Sequence, residues 1–158
     1  MGLKKNDVSE KVPSEPCLGS WHVNLIYIDR KKCLLFVNEK TLFNFVVPGI
    51  PRAQIKKLSD VFRTTLKCVL ADEGIPEVVI TKIMSEYESI QYGNTNNKSV
   101  LGSMNDLAFH YKFHIHSEGG VHSCAVPSII KKLNRIPMGA LEYLYPIDAL
   151  KAVCENEI

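Results

Sequence analysis

Four residues with chemically versatile side chains recur three or four positions apart in one segment: Ser103, Asp106, His110 and His114. If residues 99–117 form a helix, this spacing places all four on one flank. The neighbouring stripe is apolar and consists of Val100, Met104, Leu107, Tyr111 and Ile115. Because a polar row beside a buried stripe can face a cleft, this flank is the first candidate for a functional surface.

Two of these residues have a spacing that is compatible with metal binding. His110 and His114 are four positions apart, which lets two imidazoles on a helix bind one ion, and His122 could fold back after two glycines. Catalytic zinc sites usually have three protein ligands, and Tyr111 stands where the metalloprotease motif has Glu. The three histidines are therefore metal-ligand candidates only, and we expect neither a metal nor another cofactor.

General acid–base chemistry is a second possibility on the same flank. Asp106 and His110 could form an oriented imidazole, with Ser103 one turn earlier. A serine nucleophile and its base usually come from different elements, however, and these residues share one helix. Ser103 and Asp106 also have the spacing of a capping box, which would start the helix four residues after Ser99. The capping and packing roles are therefore preferred, and Asp106, His110 and His114 are candidate catalytic residues only.

The loop before this helix favours binding of an anion. Residues 94–99 carry many side-chain donors, and unpaired N–H groups at a helix N-terminus attract negative charge. The glycines of a phosphate-binding loop are absent, so the sequence does not indicate nucleotide binding. The residues that we expect to bind a ligand are Thr95, Asn96, Ser103, Asn105 and Arg135.

Composition narrows the class of partner and the compartment. The 158 residues include 19 basic and 17 acidic side chains, a balance that does not support nucleic-acid binding. The chain has no apolar run of membrane-spanning length, and we expect no membrane association. The five cysteines are odd in number and lack a Cys-x-x-Cys pair, which favours reduced thiols in a cytoplasmic protein. Cys33 and Cys68 lie in apolar runs and are expected in the core.

The elements that position these residues follow from periodicity. Residues 20–28, 33–38 and 42–47 are predicted strands joined by short polar turns, which favours a three-stranded antiparallel meander. A short fourth strand is possible at 90–92. After Pro51 the period becomes helical, and helices are predicted near 52–72, 76–88, 99–117, 126–134 and 146–154.

The predicted fold class is α+β, with the N-terminal meander packed against four or five helices. Residues 1–19 are polar and carry no period, so we expect a flexible N-terminal arm followed by a single domain over 20–158. The residues predicted to be largely buried are Trp21, Leu25, Leu35, Phe62, Leu66, Ile83, Leu107 and Tyr111.

The segment 95–107, which reads TNNKSVLGSMNDL, resembles a motif of a family of small bacterial proteins known only as a domain of unknown function. The resemblance extends from about Trp21 to Leu150 and includes the late segment 133–141, LNRIPMGAL. It implies a bacterial, cytoplasmic, stand-alone domain, and it implies no activity, cofactor or catalytic residue. It also directs attention to the polar entry of the third helix and to the turn at Asn134 and Arg135.

Two functional hypotheses follow from the sequence. The first is a non-enzymatic binding module that recognises a protein or a small anionic ligand through residues 94–106 and the helix flank. The second is a small hydrolase or nuclease that uses His110, His114 and Asp106, with or without a divalent metal. The first is favoured because no group of residues supplies a nucleophile, a base and oxyanion donors together.

Overall fold

A computed structural model describes residues 2–5, 16–93 and 97–156, with the backbone alone described at 2–5 and at Ile55. Five strands form one antiparallel sheet: β1 (Gly2–Lys5), β2 (Trp21–Ile28), β3 (Lys31–Asn38), β4 (Asn44–Val47) and β5 (Ile90–Gly93). Their order across the sheet is β4-β3-β2-β1-β5. The predicted meander is confirmed as β2, β3 and β4, and the fourth strand exists as β5.

The hairpin between β2 and β3 has a tight turn. Ile28 pairs with Lys31, so that only Asp29 and Arg30 connect the strands. Both have positive φ values, 49° and 69°, which match the twist of a two-residue hairpin even though neither residue is glycine.

The structure differs from the expected N-terminal arm at two places. Gly2–Lys5 forms β1, which lies between β2 and β5. Residues 16–19 form a turn in which Leu18 is fully buried, and residues 6–15 lie outside the described chain. The sequence of β1 contains only one apolar residue, Leu3, and strand pairing rather than an apolar pattern accounts for this element.

The helices follow the predicted order. They are α1 (Arg52–Ile55), α2 (Leu58–Asp72), α3 (Glu77–Glu86), α4 (Lys98–Ser117), α5 (Val126–Leu133) and α6 (Pro146–Glu155), with a 3-10 turn at Gly139–Leu141. The single helix expected over 52–72 is interrupted because the backbone of Lys57 leaves helical geometry. No helix among the described residues is long and apolar enough to cross a membrane.

Helices cover the sheet on both faces. On one face, α2 and the end of α3 contact the sheet through an aromatic cluster formed by Trp21, Phe36, Phe45, Phe62 and Tyr87. Tyr87 is fixed there because its hydroxyl accepts from the Trp21 indole and donates to the Gly19 carbonyl. On the other face, α4 packs against β2 and β3, and α5 packs against β4.

This arrangement confirms seven of the eight predicted core residues and contradicts the eighth. Leu25 is 41% exposed, although it lies on the same strand face as the buried Trp21 and Val23. The aromatic cluster covers the Trp21 end of that face. Further along β2, burial passes to the opposite face, at Ile26 and Ile28. Cys33 is buried as expected, whereas Cys68 is exposed on α2, so that expectation is wrong.

Candidate functional site

Helix α4 extends along the whole β2–β3 hairpin, and contacts at both ends fix its position. At its start, the Asn97 amide donates to Glu39 at 3.1 Å, beside the end of β3. Near its C-terminus, His116 Nδ1 lies 2.7 Å from the Asp29 carboxylate, in the β2–β3 turn. These contacts hold the helix in register with the sheet, so that the residues on its flank have defined positions.

A buried hydrogen-bond network fixes the middle of α4. Tyr111 donates from its hydroxyl to Asn44 Oδ1 at 2.6 Å, and burial raises the pKa of this phenol well above its ordinary value. Asn134, at the end of α5, accepts from the Asn44 backbone N–H and donates to the Asn44 carbonyl. The network thereby joins α4, β4 and the C-terminal end of α5 inside the core.

The start of α4 decides between two roles for Ser103 and Asp106. The helix begins at Lys98, and Asn97 is its N-cap, since Asn97 Oδ1 accepts from the Val100 N–H at 3.2 Å. The predicted start near Ser99 is therefore confirmed, and the capping role for Ser103 and Asp106 is wrong. Both residues lie in the interior of the helix, where their side chains are available for other contacts.

The polar flank of α4 forms one wall of a cleft of about 430 Å³. The opposite wall is the segment 136–140, and the α4 wall consists of Lys98, Ser99, Gly102, Ser103, Asp106 and His110, with Leu107 between them. A helix rises about 1.5 Å per residue, so this wall is about 18 Å long. The volume lies within the range of small-molecule pockets, roughly 300–1,000 Å³.

The second wall is held in place by its own backbone contacts. Met138 and Leu144 form an isolated antiparallel bridge, and the N–H groups of both Leu141 and Tyr143 donate to the Met138 carbonyl. The Ile147 N–H donates to the Asn134 carbonyl, which links the same loop to the buried network. The cleft therefore lies between two elements that are fixed relative to each other.

The polar side chains of the cleft have few partners among the residues that the structure describes. Among the described residues, the side chains of Lys98, Ser103 and Asp106 form no hydrogen bond or ion pair, whereas the Ser117 hydroxyl on the same helix and the Arg135 guanidinium after α5 do. An exposed ammonium, a hydroxyl and a carboxylate thus face one cavity without being paired to each other. They are free to bind a molecule that enters it.

His114 lies beside the cleft and does not line it. Its ring stacks near that of His110, with centroids 6.4 Å apart. Desolvation lowers the pKa of His114, and the positive charge of Lys132 and the neighbouring His110 lower it further. His122 instead contacts the Lys31 ammonium, at 3.3 Å. Within the described part of the chain, no three His, Cys, Asp or Glu side chains form a metal-binding group.

The other residues that the sequence predicted to bind a ligand are not found in the lining of the cleft or lie outside the described residues. Asn105 is exposed on α4 and does not line the cleft. Arg135 forms a two-pronged ion pair with the buried Glu73, at 3.0 and 2.9 Å, which raises the pKa of the guanidinium. Thr95 and Asn96 lie outside the described residues. Of the three predicted residues that the structure describes, only Ser103 lines the cleft.

Sequence reasoning did not select Lys98 or Gly102, two of the residues that line the α4 wall. Lys98 lies in the polar segment 94–99 of the sequence, and in the structure it is the first residue of the helix, directly after the Asn97 cap. Gly102 gave no signal, yet a Cβ added there would have nothing within 4 Å, so it leaves the cleft open. The late segment 133–141 had been selected only through the family resemblance, and the structure places part of it opposite the α4 flank.

The comparison with protein families gives a match over residues 1–149, to the family described as Domain of unknown function (DUF6933). Because that match covers most of the chain, the protein belongs to this family. The chain matches no curated protein and no solved structure.

Proposed function

We propose that this protein is a non-enzymatic binding domain that holds a small anionic ligand in the cleft between α4 and residues 136–140. The observation that carries the proposal is the convergence, in one cavity of about 430 Å³, of polar side chains that have no partner among the described residues. Lys98 offers a positive charge, and Ser99 and Ser103 offer hydroxyl donors along the same wall. The first N–H groups of α4 and its dipole favour an anion at this end.

A catalytic function is supported less well by the same residues. Ser103 and His110 are seven positions apart, about 10 Å along the helix axis and beyond hydrogen-bond distance. Asp106 and His110 both line the cleft, but no hydrogen bond between them orients the imidazole. A hydrolase or nuclease would need a nucleophile and base in contact, and the binding proposal needs no such contact.

The family resemblance and the cysteines support a cellular setting for this proposal. We infer a bacterial, cytoplasmic protein, in line with the small bacterial proteins that the motif at 95–107 resembles. Cys68 and Cys124 are exposed thiols, which suit a reducing compartment.

The proposal is tested by blocking the cleft without disturbing the core. Replacing Gly102 by Leu places a side chain in the cavity from a helix position where a Cβ meets nothing within 4 Å. We expect phosphate, sulfate or small carboxylates to shift the amide NMR signals of residues 98–110 and 136–140 in the unmodified protein. The same titration of the Gly102→Leu variant should show no saturable shift in these residues.

Gly102→Ala is the matched control, because its methyl group fits the open space and leaves most of the cavity free. It should bind every anion that the unmodified protein binds. Saturable shifts that persist in Gly102→Leu, or that map to another surface, would contradict the proposed site.

A further inference from the structure

The charges that line the cleft are of opposite sign and lie far apart. Lys98 is the only lysine or arginine among the described lining residues, and Asp106 is the only carboxylate. They are eight positions apart on one helix, which separates them by about 12 Å along its axis. In the described structure neither forms an ion pair with any other residue.

The wall opposite these two charges, residues 136–140, carries no charged or hydroxyl side chain, whereas the α4 wall between them carries the hydroxyls of Ser99 and Ser103. Leu107 is buried at the base of the α4 wall, and Ile136 and Met138 are half-buried in the opposite wall. Gly102 presents no side chain between the charges. A hydrocarbon segment could therefore contact the wall opposite α4 while polar groups at its two ends reach Lys98 and Asp106.

Other nearby charges do not disturb this polarity. Arg135 follows the network residue Asn134, but its guanidinium is bound to Glu73, and neither residue lines the cleft. His110 lies one turn beyond Asp106, at the carboxylate end, where its ring nitrogens can hydrogen-bond a polar ligand group. The cavity thus has a cationic end and an anionic end on α4, and an apolar wall opposite the helix.

From this arrangement we infer that the ligand is dipolar: an aliphatic chain with an anionic group directed to Lys98 and a protonated amine directed to Asp106. This inference rests on the proposed function and narrows its ligand class to ω-amino acids and similar aminoalkyl anions. A ligand with only one charge would interact with only one of these two exposed charged side chains. Charge-assisted hydrogen bonds at both ends would favour the dipolar ligand.

The probes are 6-aminohexanoate, hexanoate and hexylamine, with ω-amino acids of three to eight carbons as a length series. Amide NMR titrations of the full chain should give an affinity for one member of the series that is about tenfold or more above that of hexanoate. Lys98→Ala should weaken binding of 6-aminohexanoate and hexanoate but leave hexylamine unchanged. Asp106→Asn should weaken 6-aminohexanoate and hexylamine but leave hexanoate unchanged.

Lys112→Ala is the control, because Lys112 is exposed on the same helix and does not line the cleft. It should bind all probes like the unmodified protein. If hexanoate binds as tightly as every ω-amino acid and Asp106→Asn changes nothing, the dipolar inference is overturned while an anion site in the cleft stands. If anions bind only in a way that Gly102→Leu does not block, the proposed function fails as well.

Discussion

The hydroxyl of Tyr111 donates a hydrogen bond of 2.6 Å to Oδ1 of Asn44, which ties the middle of α4 to the edge strand β4. Asn134 then bonds to both backbone groups of Asn44 and so covers part of the exposed edge of the sheet. Because residues 136–140 follow Asn134 directly, one buried network sets the distance between the two walls of the cleft.

Removing the Tyr111 hydroxyl tests this network. Tyr111→Phe keeps the ring and leaves Asn44 Oδ1 without its donor in a fully buried position. A buried acceptor that loses its partner costs about 1–3 kcal/mol, which urea denaturation should show as a lower free energy of unfolding. Tyr143→Phe is the control, since Tyr143 is 76% exposed and its replacement should stay within about 0.5 kcal/mol. Equal effects of the two changes would show that the network contributes nothing.

Two leucines that look alike in the sequence should differ in their contribution to stability. Leu66 is completely buried on α2, and Leu66→Ala should cost about 2–5 kcal/mol in denaturant melts. Leu25 is 41% exposed on β2, and Leu25→Ala should cost under about 1 kcal/mol. A larger loss at Leu25 would indicate that this end of the strand is covered in solution.

The contrast between these leucines shows how far sequence reasoning extends. The period of 3.6 in residues 99–117 predicted α4 and its flank, because buried and exposed residues alternate with the helical turn. The alternation of residues in β2 also predicted a strand. Helices cover part of both faces of this strand, however, and the alternation alone does not predict which residues of each face are buried. That depends on where α2 and α4 end, which is a property of the whole fold.

The candidate site likewise contains one wall that spacing in the sequence could predict and one wall that it could not. Ser103, Asp106 and His110 could be selected from spacing on one helix, since helix geometry places them together. The opposite wall comes from residues more than twenty positions later, and its place depends on the buried contacts of Asn134 with Asn44. Arg135 appeared available in the sequence because its partner, Glu73, is distant in the chain.

Two glycines allow a test of backbone conformation at equal steric freedom. An added Cβ meets nothing within 4 Å at Gly102 or at Gly74, but Gly74 has φ of +79°. Gly102→Ala should therefore stabilise α4 by roughly 0.5–1 kcal/mol, because alanine favours helix. Gly74→Ala should destabilise by about 1 kcal/mol, because a left-handed conformation strains a residue with a Cβ. Thermal or urea melts of the two variants should move in opposite directions.

Arg135 should matter for stability and leave ligand binding unaffected. Its guanidinium binds both carboxylate oxygens of Glu73, whose side chain is 2% exposed. Arg135→Ala leaves that buried charge without its partner, and we expect a loss of about 3 kcal/mol in urea denaturation. Anion titrations of the folded variant should give unchanged affinity for the cleft. Weaker binding with unchanged stability would restore Arg135 as a ligand residue.

The last prediction concerns the pH dependence that His114 gives to stability. Its pKa in the folded state is lowered, first by desolvation and then by Lys132 and His110. An unfolded histidine has a pKa of about 6.5, so as the pH falls below about 7 the unfolded chain binds a proton before the folded protein does. Above about pH 7, His114 therefore has no effect of this kind on the free energy of unfolding. As the pH falls toward the folded pKa of His114, proton uptake by the unfolded chain lowers the free energy of unfolding.

This pH dependence can be measured by urea denaturation at a series of pH values from 7.5 to 5, which brackets the ordinary histidine pKa of about 6.5. As the pH is lowered, the free energy of unfolding should decrease less steeply in His114→Gln than in the unmodified protein. The reason is that the unfolded variant has no imidazole at position 114 to take up this proton. Lys132→Ala should raise the pKa of His114 in an NMR titration, while the adjacent Lys131→Ala should leave it unchanged, since Lys131 is not among the charges that act on His114. A folded pKa for His114 at or above its ordinary value would contradict the desolvation of its imidazole in the folded protein.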